Sequence, residues 1–130
     1  MKWKRIVVPI YSVEVFFCIE KDSSKVASKI KRLGFRVREK DTGDIDGSAN
    51  AGCVIPLLDE DGLKSYLLWL PDFANNPEHM NTVTHGLTHI KSYTFQHIGI
   101  TMGLPEKYDE LEAYLMGYLA GEFFKFTRRK

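Results

Sequence analysis

The chain has no stretch of about 18 apolar residues, the length a membrane-spanning helix needs, so no transmembrane anchor is expected. It also lacks an excess of either charge. Eighteen Lys and Arg stand against 17 Asp and Glu, a net +1, which removes the global basic field that a nucleic-acid binder carries. The basic end, Thr127-Arg128-Arg129-Lys130, complements a helix C-terminus rather than gripping phosphate. Cysteine is scarce. Cys18 and Cys53 lie far apart in apolar runs and are expected as free thiols of a reducing compartment, not as a disulfide framework. No secretory leader is expected either: Lys2, Lys4 and Arg5 precede an apolar run, but Pro9, Ser12 and Glu14 interrupt it and no small-residue cleavage site follows. No internal repeat is visible. The composition, 44% hydrophobic and 27% charged, then predicts a single soluble cytoplasmic domain over residues 1–130 with a core of its own.

What is present reads as an α+β pattern. Arg5 to Tyr11 and Val13 to Ile19 are rich in β-branched and aromatic residues, which predicts two strands, or one strand bent near Pro9 and Ser12. Asp22, Ser23 and Ser24 offer an N-cap to a helix with apolar residues at Val26, Ile30 and Leu33, closed by Gly34. Phe35 to Arg38 alternates as a half-exposed strand does. Asp41 to Gly52 is the clearest loop; its acids Asp41, Asp44 and Asp46 lack the glycine and closing glutamate of a calcium loop. Cys53 to Leu58 and Ser65 to Leu70, around Asp59-Glu60-Asp61-Gly62, predict a hairpin. The expected sheet is small and mainly antiparallel, with one crossover helix and two C-terminal helices packed on it.

Asn75-Asn76-Pro77 starts the first of those C-terminal helices, an asparagine cap followed by proline at the first helical position, and Gly99 ends it. Val83, Leu87 and Ile90 fall on one side at 100° per residue, and His85 and His89 roughly opposite. The second helix runs from about Pro105 to Phe126, with an apolar stripe at Leu111, Leu115, Tyr118 and Phe126. A separate stripe of small residues, Ala113, Gly117 and Gly121, shares its side with Glu110. Glycine in a helix costs about 1 kcal/mol, so that stripe predicts a close approach of the two helices.

The chemistry-bearing stretch is His85-Gly86-Leu87-Thr88-His89. Histidines four apart on a helix lie one turn apart on one face and can close on a single metal ion. In the zinc-peptidase motif H-E-x-x-H the intervening glutamate is the general base; here that position is Gly86. A third ligand must come from elsewhere. His97 stands about 12 Å further along the helix, and His79 points away. Glu110 and Glu112 on the next helix are the candidates, and the small-residue face prefers Glu110. Glu78 and Glu112 both lack the helical position needed to replace the missing base.

HGLTH, then His97-Ile98-Gly99-Ile100, then Asp109-Glu110-Leu111-Glu112-Ala113-Tyr114-Leu115-Met116-Gly117 resemble small zincin-like proteins of phages and prophages, with H-E-x-x-H, G-I and D-E-x-x-A-Y-L-x-G in succession. The resemblance implies a minimal metallopeptidase fold over the chain, a zinc ion held by His85, His89 and Glu110, and a location in a host cytoplasm. Its implied activity is amide hydrolysis. Independently of the resemblance, the Ser65 to Leu70 strand is expected to align an extended peptide by edge pairing if the protein is active. Gly86 departs from it. Losing a positioned general base costs 10²–10⁴-fold in rate, so an impaired or inactive hydrolase is expected, with Gly86→Glu restoring the motif. The alternatives are a pseudoenzyme that binds a host or phage protein, and a structural domain without metal.

Overall fold

The computed structural model describes residues 1–9, 11–38, 52–99 and 106–128, with the side chains of 106–109 excepted. The fold is α+β, and the described residues form five strands in one mixed sheet and three helices. The strands are β1 (Lys2–Val8), β2 (Val13–Ile19), β3 (Arg36–Val37), β4 (Cys53–Leu58) and β5 (Lys64–Leu70), in the order β1-β2-β5-β4-β3. The helices are α1 (Ser23–Arg32), α2 (Pro77–Ile98) and α3 (Glu106–Arg128). The acids of the loop 41–46 lie outside the described residues.

β1 and β2 form an antiparallel hairpin, with Lys2 opposite Ile19 and Val8 opposite Val13. They are two strands rather than one bent strand, because the chain reverses through Pro9 and Ser12, the latter at φ 54°. β1 begins earlier than its apolar run because Lys2 to Lys4 belong to an edge strand, where lysine discourages further pairing. β2 then pairs in parallel with β5, a union that needs a long crossover; α1, β3 and β4 supply it. β4 and β5 are the expected hairpin, its turn held by the Asp59 carboxylate accepting from Asp61 N at 2.8 Å and Leu63 N at 2.9 Å.

Both faces of the sheet are covered, so β2 and β5 are apolar almost throughout. Phe16, Cys18, Ile55, Leu57, Leu67 and Trp69 meet Val26 and Ile30 of α1 on one face. Val15, Phe17, Tyr66, Leu68 and Leu70 meet α2 and α3 on the other. Asp22 caps α1, accepting from Ser24 N at 2.9 Å; the Ser24 hydroxyl and then its N–H hold that carboxyl below its ordinary range. Asn76 caps α2 through His79 N at 2.8 Å, with Pro77 in the first turn, and Gly99 closes the helix at φ 80°.

Two expectations are corrected. Ser65 to Leu70 cannot serve as an edge for an incoming peptide, since β5 lies inside the sheet with β2 on one side and β4 on the other. The small-residue stripe of α3 does not face α2: Ala113, Gly117 and Gly121 are exposed, and a Cβ on either glycine would meet nothing within 4 Å. Leu115, Leu119, Phe123 and Phe126 take the buried face instead. Each large apolar side chain gains about 1.5–3 kcal/mol by leaving water, while alanine and glycine gain little, so the bulky stripe decides how the helix rolls.

Candidate functional site

α2 lies over β4 and β5, with Val83, Gly86, Leu87, Ile90, Thr94 and Phe95 buried. The opposite arc carries His85 and His89, both exposed. Their Nε2 atoms are 3.0 Å apart and their rings meet edge-on, with centroids 4.7 Å apart. Two imidazole nitrogens bound to one tetrahedral zinc at 2.0–2.1 Å stand about 3.3 Å from each other. As two donors, the pair therefore fits that group. The same distance suits a hydrogen bond between two neutral imidazoles, one donating and one accepting.

A rail of stacked rings carries the arrangement along the helix. His89 stacks on Tyr93, with centroids 6.0 Å apart and planes inclined by 21°, and Tyr93 stacks on Tyr66 of β5 at 5.3 Å and 19°. Burial raises the Tyr66 hydroxyl above its ordinary pKa, with Tyr93 adding to the rise and Arg38 opposing it. Sequence reasoning passed over Tyr93, although it sits one turn past His89, on the ridge that also bears His85. His85, His89 and Tyr93 line a cavity of about 410 Å³ whose floor is Gly86, Val54 and Leu68.

Gly86 is where the helix touches the sheet. A Cβ at this position would stand 2.5 Å from Leu68 Cδ1 and 3.3 Å from Val54 Cγ2. Leu68 Cδ1 is the terminal methyl of a side chain that also borders the cavity, so a Cβ here requires that methyl to swing aside. The expected Gly86→Glu change therefore meets a packing cost at its Cβ that the sequence does not show: the side chain enters only where Leu68 Cδ1 and Val54 Cγ2 give way.

The other site candidates are dispersed. Glu110 is exposed near the start of α3. Glu112 lies between the helices and pairs with Lys91 at 3.8 Å. His79 belongs to the helix start, where its Nδ1 accepts from Ala74 N at 2.7 Å, and Glu78 is in the same first turn. His97 is exposed in the last turn. Cys53 borders the histidine cavity, yet its side chain packs with the α1-face cluster, since strand alternation turns it away from the face of Val54. Among the described residues, Glu110 included, no three His, Cys, Asp or Glu side chains form a group that could hold a metal ion. Cys18 is buried and Cys53 half-buried, and the two are not joined in a disulfide; no helix of the described residues is long and apolar enough to cross a membrane. Comparison with family models, with curated proteins and with solved structures returned no match to this chain.

Proposed function

We propose that this chain is a zincin-like metal-binding protein in which His85 and His89 hold a divalent ion, zinc foremost, without supporting peptide hydrolysis. The observation that carries the reading is the 3.0 Å separation of the two Nε2 atoms at the mouth of a cavity. The Tyr93–Tyr66 stack beneath His89 fixes the ring that would otherwise lose side-chain freedom on binding. A zinc ion bound there would supply Lewis acidity for a carbonyl oxygen. The chain's own part would be to orient that group; it offers no carboxylate at residue 86 to move a proton. Such a scaffold suits recognition of a peptide or protein segment, of host or phage origin, rather than its cleavage. The ligand set carried by the resemblance adds Glu110, and removing it is part of the test.

The test is zinc titration by calorimetry on chelator-treated protein, comparing the wild type with His85→Ala, His89→Ala and Glu110→Gln. Either histidine variant should abolish the wild-type isotherm. Glu110→Gln should leave it unchanged if two histidines suffice and weaken it if the glutamate turns in. Absence of a wild-type isotherm would leave the histidines as a hydrogen-bonded pair and the domain as purely structural. Chelator-sensitive cleavage of an unstructured peptide by the zinc-loaded wild type would overturn the non-hydrolytic half.

A further inference from the structure

Two large aromatic side chains of α3 stand in solvent, Tyr114 at 74% exposure and Phe124 at 58%. Between them on the same face lie Gly117 and Gly121, where an added Cβ would meet nothing within 4 Å. Glycine is the least favourable helical residue after proline, and among the described residues no packing contact offsets the cost of two at mid-helix. Glu110 and Arg128, both exposed, stand at the two ends of this face. Counted at 100° per residue, all six positions fall within about 60° of Gly117.

The face is symmetric about the level of Leu119. Glu110 and Arg128 lie nine residues to either side of it, Tyr114 and Phe124 five, Gly117 and Gly121 two. Two copies of α3 laid antiparallel about that level set each glutamate beside the other copy's arginine. They also bring each tyrosine level with the other copy's phenylalanine, and glycine against glycine. A parallel arrangement would set like charges together. Neither Glu110 nor Arg128 has an ion partner among the described residues, and Lys125, at the margin of the face, is held by Glu122 at 3.3 Å. Arg128 lies over the Phe124 ring, 5.2 Å from its centroid, a stacking contact that leaves the guanidinium N–H edge to a carboxylate. With no Cβ at the centre, the two backbones can approach closer than the about 8–10 Å usual between packed helices.

We propose that this face of α3 is the interface of a homodimer, in which two copies of the chain pack their third helices antiparallel about a two-fold axis. The charge pattern names the occupant: a two-fold interface must complement itself, and a second copy brings the opposite charge, the aromatic ring and the glycine to matching heights. A contact one helix long lies at the small end of protein interfaces, so the dimer is weak and dilute protein is monomeric. The inference goes beyond the metal reading and uses neither histidine. Glu110, the added ligand of that reading, is assigned here to the other copy's arginine.

The experiment is analytical ultracentrifugation of the full chain from about 10 μM to 1 mM, with chelator present, in about 50 mM salt, where charge pairs are only partly screened. The wild type should move from monomer mass toward dimer mass as concentration rises. Gly117→Leu fills the centre of the face and should weaken association tenfold or more. Glu110→Arg and Arg128→Glu should each do the same, because a two-fold axis makes every reversal count twice. An equimolar mixture of those two variants restores both opposite-charge pairs and should associate as the wild type does, and so should the double variant Glu110→Arg/Arg128→Glu. Circular dichroism of each variant reports whether it still folds, and rescue by mixing occurs only between folded chains. Monomer mass at every wild-type concentration would overturn the proposal and leave the face to a different partner. Association that survives Gly117→Leu and both reversals would place the dimer contact elsewhere and overturn it as well. With chelator present, neither result depends on whether the histidine pair binds zinc.

Discussion

Replacing Gly86 by alanine should destabilise the protein, although the same change in an open helix stabilises it. The added Cβ meets Leu68 Cδ1 at 2.5 Å and Val54 Cγ2 at 3.3 Å, and forcing an extra carbon into a packed core costs about 1–3 kcal/mol. Helix propensity returns up to about 1 kcal/mol, so the net loss is about 1 kcal/mol. Gly117 and Gly121 provide the internal reference, because nothing lies within 4 Å of a Cβ at either. Gly117→Ala and Gly121→Ala should each gain up to about 1 kcal/mol. Subtracting reference from test cancels propensity and unfolded-chain entropy and leaves the packing cost alone. With an unfolding entropy of about 2.1 cal/mol/K per residue, that cost corresponds to a difference of about 4–11 °C between the Tm values of Gly86→Ala and Gly117→Ala. Denaturant and thermal unfolding measure it. A Leu68→Ala background should erase most of the penalty, because the clashing methyl is gone, giving a coupling of about 1–3 kcal/mol in a double-mutant cycle. Equal stabilities for Gly86→Ala and Gly117→Ala would refute the close approach of α2 to the sheet. Gly86→Glu should be worse than Gly86→Ala, and zinc-loaded Gly86→Glu should show no gain in peptide cleavage.

Other expectations concern the thiols and the helix cap. Cys18 is pushed from an ordinary 9.0 to about 12, first by burial and then by the Glu20 carboxylate; at pH 8 only about one native molecule in ten thousand carries its thiolate. Iodoacetamide should therefore label the half-buried Cys53 well before Cys18, and equal rates in native protein would contradict the burial of β2. Because the folded thiol ionises later than the unfolded one, its contribution is intact below pH 9 and is lost as pH rises from there toward 12. The wild type should lose about 1.4 kcal/mol per pH unit more than Cys18→Ala across that window, measured by denaturant titration at pH 8, 9 and 10. Asn76→Ala should cost about 1 kcal/mol by leaving His79 N without its cap, and an unchanged midpoint would show that Pro77 alone sets the start of α2.

The sequence by itself determined most of the elements. Period-2 and period-3.6 runs, the Asn76-Pro77 start, the Gly99 stop and the turn before Gly62 are local properties of chain geometry, and α1, α2, β2 and the β4–β5 hairpin follow from them. It also determined that His85 and His89 are neighbours, because one helical turn brings them together without help from the rest of the fold. Only the tertiary structure decided that β5 is an inner strand, since the parallel pairing with β2 joins residues some fifty positions apart and leaves no mark in either strand alone. Only it decided the roll of α3. Two stripes, one bulky and one small, compete for the same buried side; the larger apolar area won, carrying Glu112 toward Lys91 and leaving Glu110 in solvent. Gly86 marks the same limit. In the sequence it is a missing base in a metal motif, whereas in the fold it is the space that Leu68 fills, because closeness between a helix and a sheet is a property of their packing and not of either segment.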